Sequence, residues 1–100
     1  MARKAPEPPR PPLTPSATKQ FKRDVNRLQK RGEDMEKFRA AIVALCSRAP
    51  LPSALHDHPL KGKWKGWRDV HVAGDWIIIY RTTPTELILA RTGTHSDLFA

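Results

Sequence analysis

The chain has 100 residues, a net charge of +8 and one cysteine, Cys46, so it has room for one domain and none for an internal disulfide. No apolar run approaches the roughly 18 residues that span a bilayer, and the start lacks the apolar core of a secretory leader, which makes the cytoplasm the expected compartment. The basic excess lies mostly before residue 49 and suggests a polyanionic partner, RNA or DNA first, over basic side chains kept only for solubility.

Six of the ten prolines fall within the first fifteen residues. Such a stretch has too few backbone donors and too little apolar surface to fold, so residues 1–16 read as an extended, disordered tail before a domain over 17–100. A short strand around Leu13 is conceivable, although the prolines argue against it. A first helix is expected from about Thr18 to Lys30, capped by Ser16 or Thr18. Phe21, Val25 and Leu28 share its apolar face, and Lys19, Lys22, Arg23, Arg27 and Lys30 gather on the other. That stripe fits a polyanionic surface; a merely solvated face is the alternative.

Gly32 ends the helix, and a second is expected from Glu33 to about Ser47, burying Met35, Phe38, Ile42 and Leu45. Cys46 follows that stripe, which predicts an inert buried thiol. Pro50 and Pro52 stop the helix, leaving an antiparallel hairpin. After residue 66 the period changes to two. Trp67, Asp69 and His71 alternate with Arg68, Val70 and Val72, which places the two sets on opposite faces of a strand. Ala73-Gly74-Asp75 is a turn, Trp76–Tyr80 a central strand apolar on both faces, and Leu87–Arg91 a further strand. The fold class is α+β: a helical hairpin packed on a small, mostly antiparallel sheet.

All four histidines lie between positions 56 and 95, interspersed with Asp57, Asp69 and Asp75. An acid–base ribonuclease needs one group to take the proton from a ribose 2′-OH and another to protonate the leaving 5′-oxygen. Imidazoles suit both tasks near neutral pH, with carboxylates orienting them. Lys61, Lys63, Lys65, Arg81 and Arg91 could neutralise phosphorane-like charge. Scattered surface histidines are the plain alternative. A zinc site from His56-x-His58 with His71 or His95 is another, but no Cys pair or HExxH motif accompanies it, so neither metal nor cofactor is expected. The absence of a Gly-x-Ser-x-Gly elbow argues against a serine hydrolase. Trp64 and Trp67 read as packing residues; Trp76, beside Asp75, is the better candidate for base stacking.

Three segments carry a resemblance. His58-Pro-Leu-Lys-Gly-Lys-Trp-Lys-Gly-Trp-Arg-Asp-Val-His-Val72 resembles the RelE/ParE superfamily of toxins. Asp75-Trp-Ile-Ile-Ile-Tyr-Arg81 and Arg91-Thr-Gly-Thr-His-Ser-Asp-Leu-Phe99 narrow it to the YafQ-like branch, over about residues 18–100. The resemblance implies a toxin of a type II toxin–antitoxin pair that cuts mRNA in the ribosomal A site without metal. Its partners would be the ribosome, the mRNA and a cognate antitoxin, the last in a hetero-oligomer. It also implies an acid–base set of His58, His71, Asp75 and His95 joined by Asp69, with Trp76 and Phe99 positioning base or backbone and Arg91 facing phosphate. Which groups act as acid and base stays open; proton transfer by His71 and His95, with Asp69 and Asp75 orienting imidazoles, is the expectation from the residues themselves. His56 matches no family role. A ParE-like toxin that binds DNA gyrase without cutting RNA, or an inactive antitoxin-binding relative, are the rivals; the first does not require the histidine cluster, and the second is excluded only by an assay.

Overall fold

A computed structural model describes residues 10–99. The first helix, α1 (Lys19–Lys30), begins where Thr18 Oγ1 accepts the N–H of Phe21 at 3.0 Å. It buries Phe21 and Leu28, leaves Val25 half-buried, and also buries Asp24. The second helix, α2 (Met35–Cys46), is capped by Asp34, whose carboxylate accepts the N–H groups of Glu36 and Lys37. Gly32, at φ 79°, lets the chain reverse between them. Phe38 and Leu45 are buried as expected, while Ala41 and Cys46 take more of the burial than Met35 and Ile42. Burial raises the pKa of the Cys46 thiol, consistent with an inert one.

The five-stranded sheet runs in the order β1-β5-β4-β3-β2. Its members are β1 (Thr14–Ala17), β2 (His58–Pro59), β3 (Arg68–Ala73), β4 (Trp76–Thr82) and β5 (Glu86–Thr94). Only the β1–β5 pair is parallel. A short helix, α3 (His95–Phe99), follows β5 directly. No helix among the described residues is long and apolar enough to cross a membrane.

The start of the domain needs correction. Leu13 is buried in the main core, and residues 14–17 form a strand, so the ordered domain begins before residue 17. The prolines are accommodated because β1 is an edge. Thr14 and Thr18 donate to the Thr85 and Leu89 carbonyls at 2.9 and 3.1 Å, so in the alternating pattern Pro15 points its missing N–H away from β5. The extended tail expected for residues 1–9 lies outside the described residues.

Both helices cover one face of the sheet. Val70, Trp76, Ile78, Tyr80, Leu87 and Leu89 pack there against Phe21, Leu28, Phe38, Ala41 and Leu45. On the other face Ile77, Ile79, Ala90 and Leu98 form a smaller cluster with Leu60, Trp64 and Trp67. Two cores therefore sandwich β4, which explains why its apolar run is continuous rather than alternating.

Candidate active site

The face opposite the two long helices carries the histidines. Asp69 pairs with Ile79 and His71 with Ile77, and directly opposed residues share a face, so both point away from Val70 and the helices. His58 of β2 lies opposite Asp69 in the adjoining ladder. β5 then delivers His95 at the start of α3, within reach of the β3–β4 turn that carries Asp75. Four segments distant in sequence thus meet at one sheet edge.

The rings gather around His71. His56 meets His71 edge-on with centroids 5.5 Å apart, His58 lies 6.2 Å from His71, and His95 lies 5.7 Å from it. Phe99 stands 5.9 Å from His95 and is exposed. An open cavity of about 470 Å³ borders the cluster, lined by His56, His58 and His71 together with the end of β3.

Two imidazoles have their tautomers set by their neighbours. His58 Nδ1 lies 2.9 Å from the His56 carbonyl oxygen, which can only accept, so Nδ1 carries the hydrogen. His95 Nδ1 is paired with the Asp75 carboxylate, another obligate acceptor when ionised. Each ring consequently keeps its Nε2 free for proton exchange.

Asp69 has the least ordinary environment. Its Oδ1 also lies 2.9 Å from His58 Nδ1, yet that N–H is aimed at the His56 carbonyl. Oδ1 is left buried without a well-directed hydrogen bond. Burial raises the pKa of Asp69, and the positive ends of His58, His71 and His95 only partly offset this.

Donor atoms of His58, Asp69 and His71 lie within 4.8 Å of one another. Two imidazoles and a carboxylate form a set that fits zinc or copper. A candidate metal site is therefore built on Asp69 with His58 and His71, rather than on the His56-x-His58 pair considered from sequence.

Two further members, His56 and Asp57, are visible in the sequence but carry no role in the acid–base set expected from it. His56 sits at φ 46°, a left-handed conformation strained for histidine, and this turns its ring onto His71. Asp57 ties that loop down: Arg68 donates to it at 3.0 to 3.3 Å through Nε and Nη2, and Tyr80 Oη donates at 2.5 Å. Burial opposes the Asp57 charge, but these partners hold its pKa below the ordinary value. The His-Asp-His spacing was the available signal.

Two positioning expectations are corrected. Trp76 cannot stack on a base: it is 3% exposed, its ring stacks on Phe38 at 5.4 Å, and its Nε1 donates to Thr92 Oγ1. Its apolar neighbours on α2 drew it to the helix side. Arg91 is not turned toward the histidines. Its Nε and Nη2 donate to Asp24 of α1 at 2.8 and 3.2 Å, a forked ion pair that commits the guanidinium to the helix–sheet joint. Arg81 lies over the Trp67 ring at 4.7 Å. Lys61, Lys63 and Lys65 are exposed in the segment between β2 and β3. Lys19, Lys22, Arg23, Arg27 and Lys30 are exposed along α1, although Arg27 is partly spent on Asp24 at 2.7 Å.

Comparison with known proteins gives a consistent picture. A family model described as the bacterial toxin of type II toxin–antitoxin systems, YafQ, matches residues 13–100. The mRNA interferase toxin YafQ of Escherichia coli K12 is 48% identical over 81 residues, covering 80% of this chain and 88% of that protein. In the crystal structure of the E. coli DinJ-YafQ toxin–antitoxin complex, a chain superposes with a TM-score of 0.81 at 44% identity, covering 88% of this chain and 98% of that one. A copper-bound mutant toxin from Helicobacter pylori superposes at 0.82 with 38% identity, covering 87% of this chain and 99% of that one.

Proposed function

Because this chain belongs to the YafQ family of bacterial type II toxins, we propose a full assignment of its activity to the histidine face. The chain is an mRNA interferase, an endoribonuclease that serves as the toxin of a toxin–antitoxin system. It acts in the cytoplasm, in the ribosomal A site, and a cognate antitoxin silences it in a hetero-oligomer, as the complex of the E. coli relative suggests.

The observation that carries the reading is the row of imidazoles with free Nε2 ends, two of them held through Nδ1. In the reaction, one imidazole takes the proton from the ribose 2′-OH as that oxygen bonds to phosphorus. The P–O5′ bond breaks, and a protonated imidazole supplies the proton to the departing oxygen, leaving a 2′,3′-cyclic phosphate. His71 and His95 carry the proton transfers, with Asp75 holding His95. His58 and Asp69 complete the set, Asp69 as the buried carboxylate that faces the imidazoles. Phe99 stacks against the base, and Lys61, Lys63 and Lys65 meet the RNA backbone. The α1 stripe of Lys19, Lys22, Arg23, Arg27 and Lys30 meets ribosomal RNA. Trp76 and Arg91 have structural duties instead. The chemistry needs no metal.

The test is mRNA cleavage in a translating extract by wild type, His71→Ala and His95→Ala, with circular dichroism and antitoxin co-purification as controls. Each variant should lose on the order of 10²–10⁴ in rate while keeping its fold and its antitoxin. Wild-type activity should survive chelation followed by readdition of magnesium for the ribosomes. Stable variants that cleave at wild-type rate would overturn the assignment, and activity restored only by zinc or copper would overturn its metal independence.

A further inference from the structure

The helix α3 is five residues long, too short to persist by its own hydrogen bonds, yet it carries His95 at one end and Phe99 at the other. Leu98 is its buried side chain. Much of the remaining hold passes through Asp97. Its Oδ2 accepts the N–H of Thr94 at 3.0 Å, while Thr94 Oγ1 accepts the N–H of Asp97 at 3.1 Å, a reciprocal cap that fixes the start of the helix. The same carboxylate receives both arms of Arg31, Nη1 to Oδ2 at 2.9 Å and Nη2 to Oδ1 at 3.1 Å. Arg31 caps the C-terminal end of α1, where its own N–H bonds the Arg27 carbonyl at 3.1 Å. Gly93 makes room for the arrangement: a Cβ there would stand 3.0 Å from Asp97 Oδ2.

Three independent features thus converge on one carboxylate: a cap, a forked ion pair between groups 66 residues apart, and a glycine against which it packs. We infer that Arg31 and Asp97 are positioning residues for cleavage: their ion pair locks α3 to the end of α1 and so sets His95 and Phe99 against His71. The inference rests on the reaction proposed above. His95 is then held at two points, its ring by Asp75 and its backbone, through the cap, by Asp97. A surface pair of this kind contributes little to global stability, because Arg31 is 41% exposed and solvent screens it. Its effect is local, since a shift of about 1 Å in a catalytic group can cost as much as a hundredfold in rate.

Asp97→Asn is the cleanest variant, because it leaves in place every cation of the α1 groove lined by Arg23, Arg27, Lys30 and Arg31. Cleavage on programmed ribosomes is measured against toxin concentration for wild type, His95→Ala, Asp97→Asn, Arg31→Met and the double variant, with thermal melting and imidazole NMR signals alongside. Asp97→Asn and Arg31→Met should each lower the saturating rate by about tenfold to a hundredfold. For Asp97→Asn the half-saturating concentration should not change, and the double variant should be no slower than the slower single one, as expected of partners in one contact. The His95 ring signals should shift, those of His56 should not, and the melting temperature should barely move. Saturating rates equal to wild type beside a dead His95→Ala would overturn the inference, as would losses that multiply in the double variant or a collapse in melting temperature. If wild type and His95→Ala were equally inactive, the proposed reaction itself would fall, a result distinct from these.

Discussion

Asp24 and Asp69 are both closed to solvent, at 0% and 1% exposure, and their surroundings treat them in opposite ways. Asp24 lies between α1 and β5 and accepts hydrogen bonds from Gln20, Arg27, both arms of Arg91 and the Thr92 N–H. Burial alone would raise its pKa, but Arg91, Thr92 and Gln20 together leave it below its ordinary value. Asp69 faces imidazoles, keeps one oxygen without a directed donor, and has its pKa raised by the same burial. One region spends its charge on holding a helix to the sheet. The other leaves a carboxylate under-satisfied beside the imidazoles proposed to move protons, an arrangement common at functional sites.

The largest expected consequence is in stability. Asp24→Asn removes the charge that Arg91 and the Thr92 amide answer, and should cost about 2–3 kcal/mol at pH 7. For a domain of this size that is a fall of about 10 °C or more in melting temperature. The pH dependence has a definite sign. A carboxylate with a lowered folded pKa contributes stability above the unfolded value, near 3.8, and loses it as pH falls through the folded one. Melting temperatures of wild type should therefore decline below about pH 4, and Asp24→Asn should decline less steeply; Asp57 keeps part of the slope in the variant. Equal melting temperatures at pH 7 would show that the Asp24 network is not a stability node.

Asp69→Asn should act in the opposite sense. A raised folded pKa contributes stability below the unfolded value and loses it as pH rises through the folded one, so at neutral pH the charged Asp69 is a cost. The amide variant should melt no lower than wild type, and up to about 1 kcal/mol higher, while cleavage drops. A clear loss of stability would make the two aspartates alike and end the contrast.

The smallest expected effect concerns the exposed side of the helix that carries Asp24. Replacing Lys19, Lys22 and Arg23 with Gln should weaken ribosome association and reduce its log–log salt slope by up to about 2, while leaving the rate of bound complexes unchanged. An unaltered salt slope would assign that stripe to solubility or to the antitoxin.

Much of this molecule is legible before any coordinates. Capping residues, glycine and proline punctuation and two clear periodicities locate α1, α2, β3 and β4, because each signal is local to its own element. The edge strand β1 is masked by composition: Pro15 lowers strand propensity, and only its place at a sheet edge makes it harmless. The two-residue β2 and five-residue α3 fall below any periodic pattern. β5 runs beyond the expected Arg91 to Thr94, with an irregularity at Ala90 that breaks the alternation.

The histidines are readable as chemistry because few other side chains exchange protons near neutral pH, and their crowding between residues 56 and 95 is plain in the sequence. Residue types alone therefore determined what the site could do. Which residues do it was left to tertiary structure, because partnership is a matter of distance. Trp76 and Asp75 are neighbours in sequence, yet one is stacked on Phe38 in the core and the other holds His95 at the surface, since Asp75 lies in the turn and Trp76 is the first residue of β4. Arg91 looked free to meet phosphate until α1 brought Asp24 beneath it. Arg31 and Asp97, 66 residues apart and ordinary in sequence, became a pair only when the end of α1 came to rest beside α3.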